Sequence, residues 1–111
     1  MKAWTRVCRV EDIPCPGARA VRREGAPAVA VFRTASNRFY ALVDRCPHRG
    51  GPLSQGTVYG ERVACPLHNT RVDLASGVAV APDKGCVETF AVKVEKNVVY
   101  IELPSNLRPT G

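Results

Sequence analysis

Two short segments hold the residues of this chain that are best suited to bind a metal. Cys46-Pro47-His48 and Cys65-Pro66-Leu67-His68 contain the only two histidines of the sequence, and each histidine closely follows a cysteine. Thiolates and imidazoles are the side-chain ligands that proteins offer to zinc and to iron–sulfur centres. Sixteen residues separate His48 from Cys65, which is enough for a strand, a turn and a return strand. The spacing therefore predicts that two loops at the tip of a hairpin offer two thiolates and two imidazoles to one metal group.

The order of these ligands along the chain bears on which metal they bind. A tetrahedral structural zinc site is one interpretation, because two cysteines and two histidines satisfy zinc. Zinc fingers, however, group the two cysteines and then the two histidines, whereas here each segment supplies one of each. This interleaving favours a dinuclear iron–sulfur cluster, in which one iron takes both thiolates and the other takes both imidazoles. Zinc remains the alternative at this point.

The composition argues against several other classes of protein. Five cysteines is an odd number and does not suit a disulfide-stapled secreted domain, so we interpret Cys8, Cys15 and Cys86 as core or surface thiols. The formal charge is +6, but the basic residues are scattered without interleaved aromatics, which argues against nucleic-acid binding and favours an acidic protein partner. The longest apolar run is residues 28–32, so we expect no membrane span and a soluble, cytoplasmic protein.

Alternating apolar and polar residues predict an all-β fold. Residues 28–33 and 38–43 are β-prone runs joined by turn-forming residues, and we expect them to form a hairpin. Residues 90–95 and 98–103 alternate on either side of Lys96-Asn97, which predicts a second hairpin with a two-residue turn. Because no window shows a helical stripe, we expect a small antiparallel β-sandwich or barrel.

The chain has the length of one domain, and its middle third has a different composition from the rest. Glycines and prolines concentrate between about residues 45 and 82, which predicts a loop-rich insertion that carries the site. We expect a single domain over residues 1–104, with this insertion at 45–82 and a flexible tail at 105–111.

The two ligand segments resemble the cluster-binding loops of Rieske [2Fe–2S] proteins. The matching residues are Cys46-Pro47-His48-Arg49-Gly50-Gly51-Pro52-Leu53 and Cys65-Pro66-Leu67-His68. The resemblance implies a Rieske-type [2Fe–2S] cluster, with Cys46 and Cys65 on one iron and with His48 and His68 on the solvent-facing iron. It also implies the fold of a Rieske-type iron–sulfur protein (ISP) domain, in which a loop-rich cluster-binding subdomain accompanies a small antiparallel β-sandwich or barrel.

Nearly the whole chain resembles one branch of this family, the small subunit of assimilatory NAD(P)H-dependent nitrite reductase. The segments that favour this branch are Leu67-His68-Asn69, Asp73-Leu74-Ala75-Ser76-Gly77 and Pro82-Asp83-Lys84-Gly85. The resemblance implies a non-autonomous enzyme subunit that relays electrons on a large partner, which carries the flavin, sirohaem and NAD(P)H sites and reduces nitrite to ammonium in nitrate assimilation. The chain itself has no dinucleotide fingerprint and no paired carboxylates, so we expect no catalytic site of its own. The alternative is a free Rieske ferredoxin that serves a ring-hydroxylating dioxygenase.

Several positions differ from the pattern of the Rieske proteins that this chain resembles. Thr70 stands where many relatives have tryptophan, and Gly51 and Leu67 stand where respiratory Rieske proteins have cysteines that form a disulfide. Those proteins also have a tyrosine near Val72 that bonds to a ligand sulfur, and valine cannot do so. Fewer donors to the sulfurs predict a reduction potential low in the Rieske range, which runs from roughly −150 to +300 mV.

Two further features lie close to the predicted ligands. Arg45, Arg49 and Arg71 flank them, and these side chains either ring the electron exit with positive charge or are ordinary solvated residues. Ala81-Pro82 resembles a third, proline-containing loop that covers the cluster in relatives, although a simple turn into the next strand fits these residues equally well.

Overall fold

Short antiparallel strands make up most of the chain, in a computed structural model that describes residues 2–47, 50–66 and 69–104. Within these residues the strands are β1 (Lys2–Arg9), β2 (Gly17–Arg23), β3 (Ala26–Arg33), β4 (Phe39–Val43), β5 (Thr57–Tyr59), β6 (Arg62–Ala64), β7 (Arg71–Asp73), β8 (Thr89–Phe90), β9 (Val92–Glu95) and β10 (Val98–Pro104). Short 3-10 helices form at Val10–Asp12 and Leu53–Gln55. The all-β prediction is confirmed. The predicted tail, 105–111, lies outside the described residues, and the division of the chain into domains stays a prediction.

The strands form three antiparallel sheets. Sheet one has the order β1-β10-β9, sheet two has the order β2-β3-β4-β8, and sheet three has the order β5-β6-β7. β1 pairs with β10 along its length, from Lys2 opposite Pro104 to Arg9 opposite Val98. The first and last strands of the described chain are therefore neighbours, which holds both of its ends in one sheet.

Sheet two is the middle layer, and its strand β3 is buried on both faces. Val29 and Val31 belong to a core cluster shared with sheet one, whereas Ala30 and Phe32 belong to a second cluster shared with sheet three. All four side chains have an exposed fraction of 0%. Successive side chains of a strand point to opposite faces, so the sequence of a strand that is covered on both faces is a continuous apolar run. This explains why β3 contains the longest apolar run of the sequence.

The two predicted hairpins are present, but one predicted strand is divided. β3 pairs with β4, and β9 pairs with β10 through Lys96-Asn97, whose φ values of 49° and 68° suit a two-residue hairpin turn. Residues 90–95, predicted as one strand, contribute β8 to sheet two and β9 to sheet one. The chain changes sheets at Ala91, so one alternating run of sequence serves two different sheets.

The predicted strand, turn and return strand between the ligand segments are also present. β5 and β6 pair from Thr57 opposite Ala64 to Tyr59 opposite Arg62, and they form sheet three with β7. Their inward side chains pack into the second core cluster, which places sheet three directly against the middle layer. In the described part of the chain, no helix is long and apolar enough to cross a membrane.

The carboxylate of Glu61 ties sheet three to the β3–β4 hairpin of sheet two. It accepts a hydrogen bond from the Tyr40 hydroxyl and one from Ser36 Oγ at 3.5 Å, and its Oε1 lies 3.8 Å from Arg38 Nη1. Glu61 lies in the turn between β5 and β6. The hydrogen bond from Tyr40 to Glu61 is the main reason that the pKa of Tyr40 is raised, since the bond favours the protonated phenol.

We expect Tyr40→Phe to lower the free energy of unfolding by about 1 kcal/mol at neutral pH, because the bond from the hydroxyl to Glu61 is lost. Tyr59→Phe is the matched control, since Tyr59 is 40% exposed, and its effect should stay within about 0.5 kcal/mol. Urea denaturation of both variants measures the difference. Equal stability of wild type and Tyr40→Phe would show that this bond does not hold the sheets together.

The same pair predicts a pH dependence at high pH. A phenol whose folded-state pKa is raised stabilises the fold fully below the unfolded tyrosine pKa of about 10 and loses this contribution as the pH rises through the folded-state pKa. The stability difference between wild type and Tyr40→Phe should therefore shrink as the pH rises above about 10. Denaturation at several pH values between neutrality and this range measures the trend, and a difference that grows instead would contradict the assignment.

Candidate metal centre

The two predicted cysteine ligands follow the ends of strands in different sheets and meet in one core cluster. Cys46 comes three residues after β4, and Cys65 comes directly after β6. Each cysteine has an exposed fraction of 2%, and both belong to the cluster that joins sheets two and three. The fold therefore brings together and buries two thiol-bearing residues that are far apart in the sequence.

Each cysteine begins a loop, and the two loops are closed by the same pair of backbone hydrogen bonds. In the first loop, Cys46 N donates to Gly51 O at 2.7 Å, and Gly50 N donates back to Cys46 O at 2.8 Å. In the second loop, Cys65 N donates to Thr70 O at 2.7 Å, and Asn69 N donates back to Cys65 O at 3.0 Å. The two loops thus satisfy the main-chain groups of their cysteines internally and present those cysteines in equivalent ways.

The fifth residue of each loop has a left-handed backbone conformation. Gly50 has a φ of 73° and Asn69 a φ of 60°. Glycine adopts this conformation without steric cost, and asparagine is among the few other residues that tolerate it. The glycine and asparagine of the two segments are therefore explained by the bond that closes each loop.

A carboxylate holds the two ends of the first loop together. Asp44 Oδ1 accepts a hydrogen bond from Ser54 N, and Asp44 Oδ2 accepts one from Ser54 Oγ, each at 2.7 Å. The first loop lies between these two residues, so their contact fixes the base from which Cys46 extends. Sequence reasoning missed this pair because its members are ten residues apart, whereas recognisable side-chain–backbone motifs span two to four residues.

A close backbone approach joins the segments that carry the two loops. A Cβ atom built on Gly56, just after the 3-10 helix of the first loop region, would lie 2.1 Å from Ala64 O. Ala64 is the residue that precedes Cys65. Only glycine fits at this approach, and in the sequence Gly56 was one of several loop glycines with nothing to distinguish it.

The segment after β7 packs against the first loop through Gly85, and both interpretations of Ala81-Pro82 stay open. A Cβ atom on Gly85 would lie 3.1 Å from the Cβ of Pro47, whereas Ala81 and Pro82 are exposed. Beside this contact, a cavity of about 290 Å³ opens next to the first loop. Its lining residues are Val43, Arg45, Cys46, Pro47, Cys86, Val87 and Glu88. Cys86 therefore lies near the site, although nothing in its sequence context indicated so.

The remaining predicted ligands cannot be placed in the same way. His48 and His68 lie outside the described residues, as do Arg49 and Leu67. The set of four ligands, cysteines included, stays a prediction. Two residues that differ from those of Rieske relatives are buried. Thr70 is 1% exposed, and Val72 is fully enclosed in the core cluster of the two cysteines. With its apolar side chain in the core, Val72 provides no hydrogen bond to a ligand sulfur.

The described residues fit a metal–sulfur group held between two loops. Two buried cysteines occupy equivalent positions in loops of the same hydrogen-bonding pattern, and soft thiolates are the ligands that iron–sulfur clusters require. Together with the small three-layered β fold, they define the class as a small iron–sulfur electron-transfer protein. The family model of the Rieske [2Fe-2S] domain matches residues 3–91. The chain belongs to the Rieske [2Fe-2S] domain family, and its cofactor is a Rieske-type [2Fe–2S] cluster.

Individual relatives belong to two functional groups. The chain is 34% identical over 99 residues to the 3-phenylpropionate/cinnamic acid dioxygenase ferredoxin subunit of Escherichia coli strain K12, covering 87% of this chain and 91% of that protein. It matches a structure of the complex of reduced oxygenase and oxidized ferredoxin in carbazole 1,9a-dioxygenase with 32% identity and a TM-score of 0.80, covering 88% of this chain and 91% of that one. It also matches a structure described as a nitrite reductase NADPH small subunit, with 28% identity, a TM-score of 0.75 and coverage of 89% and 97%.

We expect Gly56→Ala to lower the free energy of unfolding by about 3 kcal/mol and to reduce the iron bound per chain, because the added methyl group must push the Ala64 carbonyl away. Gly25→Ala is the control. Gly25 has a φ of 75° but open space around its Cβ position, so that variant should lose only about 1 kcal/mol, from backbone strain, and keep its iron. Urea denaturation and iron analysis measure both effects. Equal iron contents in the two variants would mean that this approach does not position the cysteine loops.

Proposed function

We propose that this protein is the ferredoxin component of a ring-hydroxylating dioxygenase system and carries single electrons to the oxygenase. The observation that carries this proposal is the 34% identity to a dioxygenase ferredoxin subunit over most of both chains. The match to a structure of an oxygenase with its ferredoxin supports the same class of partner. The comparisons therefore favour the ferredoxin function over the nitrite reductase subunit that the sequence resemblance suggested first.

In this proposal Cys46 and Cys65 hold one iron of the cluster, and His48 and His68 hold the other. The cluster supplies a centre that accepts and releases one electron at a time. The chain contributes burial of both cysteines, which keeps water from the thiolates, and loops whose main-chain groups are already paired. Such loops have little reason to rearrange when the charge of the centre changes. Substrate chemistry belongs to the partner, and the chain acts without a catalytic site of its own.

The second candidate function is the small subunit of a nitrite reductase. It is supported by the 28% identical structure described as such a subunit and by the whole-chain resemblance in the sequence. In this function the partner would be a large subunit with flavin, sirohaem and nucleotide sites, and the same four ligands would serve. The two functions therefore differ in the partner and leave the cluster the same.

We expect Cys46→Ser, Cys65→Ser, His48→Ala and His68→Ala each to abolish the visible absorption of the protein and to reduce iron and acid-labile sulfide to a small fraction of two per chain. Cys86→Ser is the matched control, because Cys86 is an exposed cysteine beside the first loop, and it should keep the full spectrum. One zinc per chain without visible absorption would instead support the structural zinc site.

Reconstitution distinguishes the two partners. The purified protein is combined with the oxygenase and reductase components of its own host, and product formation is measured with wild type and with Cys65→Ser. We expect turnover to require the wild-type protein, because the variant lacks a sulfur ligand of the cluster. A parallel assay follows nitrite consumption by the sirohaem reductase of the same host with and without this chain. Stimulation of nitrite reduction, with no effect on the oxygenase, would overturn the ferredoxin proposal in favour of the second candidate.

A further inference from the structure

The arginines of the described chain fall into two groups according to whether the fold uses their charge. Four of them have a partner within the fold. Arg23 and Arg33 donate to main-chain carbonyls, while Arg9 and Arg38 form ion pairs with glutamates. The side chains of the others make no ion pair or hydrogen bond among the described residues, and these are Arg6, Arg19, Arg22, Arg45, Arg62 and Arg71. Three of the second group, Arg45, Arg62 and Arg71, lie on or next to the segments that carry the cysteine loops.

Two of these arginines share one exposed surface, the outer face of sheet three. The inward residues of β5, β6 and β7 are valines of the core, so the residues between them point outward. One outward row is Tyr59, Arg62 and Asp73, and the next is Thr57, Ala64 and Arg71. The second row adjoins the second cysteine loop, because Ala64 precedes Cys65 and Arg71 follows Thr70.

The charge and composition of this face suit a protein partner with an acidic surface. Arg62 and Arg71 are exposed and without ion pairs in the described chain, and Tyr59 is 40% exposed. The one acid of the face, Asp73, directs Oδ1 to the N–H groups of Ala75 and Ser76 and to Ser76 Oγ. Arginine and tyrosine, together with tryptophan, are enriched at the energetic centres of protein interfaces. The face therefore carries two arginines against one acid, and it offers a partner a net positive charge beside an aromatic residue.

The outer face of sheet one is the main competing surface, and its charges are largely compensated. Lys93 pairs with Glu95 at 3.4 Å and lies over the rings of Trp4 and Tyr100, with centroid distances of 4.7 and 5.5 Å. Its ladder also places Trp4 opposite Glu102. Arg6 of β1 is exposed on this face without an ion pair in the part of the chain that the structure describes, but sheet one packs on the other side of the middle layer, through the core cluster that does not contain the two cysteines. A partner docked there is separated from the cysteine loops by sheet two.

We propose that the outer face of sheet three is the docking surface for an acidic patch on the protein that exchanges electrons with the cluster. This inference rests on the electron-carrier function proposed above. In this arrangement Arg62 and Arg71 contact acidic groups of the partner, and the partner lies against the loop that begins at Cys65. Arg45, exposed at the start of the first loop, extends the positive charge toward the other cysteine. Docking by charge complementarity speeds association more than it adds affinity, which suits a carrier that must also dissociate.

The test compares two double charge reversals of equal charge in the cluster-loaded protein. Arg62→Glu/Arg71→Glu changes the proposed face, and Arg19→Glu/Arg22→Glu changes two exposed arginines of β2. The reduced proteins are mixed with hexacyanoferrate(III), an anionic oxidant, at 0.1 M ionic strength, where fields of exposed charges extend only about 10 Å. We expect the first variant to react about tenfold more slowly than wild type and the second to change by less than about twofold. Equal slowing of both variants, or slowing of neither, would overturn the inference.

A polyanion extends the test to a macromolecule. Poly-L-glutamate should slow oxidation of wild type and of the β2 variant by covering the face, and it should leave the sheet-three variant unaffected. Polyanion protection that survives in the sheet-three variant would place the acidic-partner surface elsewhere. A cationic oxidant, tris(phenanthroline)cobalt(III), should react faster with the sheet-three variant than with wild type. If it reacts more slowly instead, that variant has lost electron-transfer competence in general, and the inference fails.

These measurements need no oxygenase, so their outcome is independent of which partner is the right one. A protein that binds no iron–sulfur cluster would overturn the proposed function. A protein that binds the cluster and reacts reversibly, but whose two double variants behave alike, would overturn only the docking surface.

Discussion

The structure depends on one constraint. Each of two loops must bury a cysteine and must also give the N–H and C=O groups of that cysteine hydrogen-bond partners. A buried loop normally carries polar groups that nothing satisfies. Here Cys46 and Cys65 each donate to a carbonyl five residues on and accept from the amide four residues on, so each loop closes on itself. That closure requires a left-handed residue at the fifth position, and Gly50 and Asn69 supply it. The two cysteines can then lie in the core without a neighbouring strand, while Gly50, Pro66 and Asn69 stay exposed.

The three sheets follow from the need to place these two loops against one another. Sheet two supplies the first loop from the end of β4, and sheet three supplies the second from the end of β6. Their shared core cluster and the contact of Tyr40 with Glu61 fix one sheet relative to the other. Within sheet three, the approach of Gly56 to Ala64 sets the start of β5 against the residue that precedes Cys65. Sheet one covers the far face of the middle layer and completes the burial of β3. A rigid base of this kind suits electron transfer, in which the ligands should move little.

The ligand segments and both hairpins could be predicted from the sequence because their signals are local. A Cys-Pro turn followed by histidine is read within a few residues, and Lys96-Asn97 between alternating runs is equally self-contained. The missed features are contacts between residues distant in sequence. Nothing near Gly56 shows that Ala64 O approaches it, and nothing near Ala91 shows that its two flanks pair with different sheets. The choice between ferredoxin and reductase subunit was also beyond local signals, since the four proposed ligands fit both functions.

If the four proposed ligands serve either of the two candidate functions, the basis of partner choice must lie on the surface of the protein. Some residues close to the cysteines are committed to the fold: Val72 fills the core, and Asp44 is held by Ser54. Such positions can tune the potential of the centre, but they cannot meet a partner. Exposed arginines without partners in the fold have the opposite properties, since they contribute little to stability and much to the external field. With the docking surface proposed for sheet three, the control of redox chemistry would lie in the two loops and the recognition of a partner protein on the exposed sheet beside them.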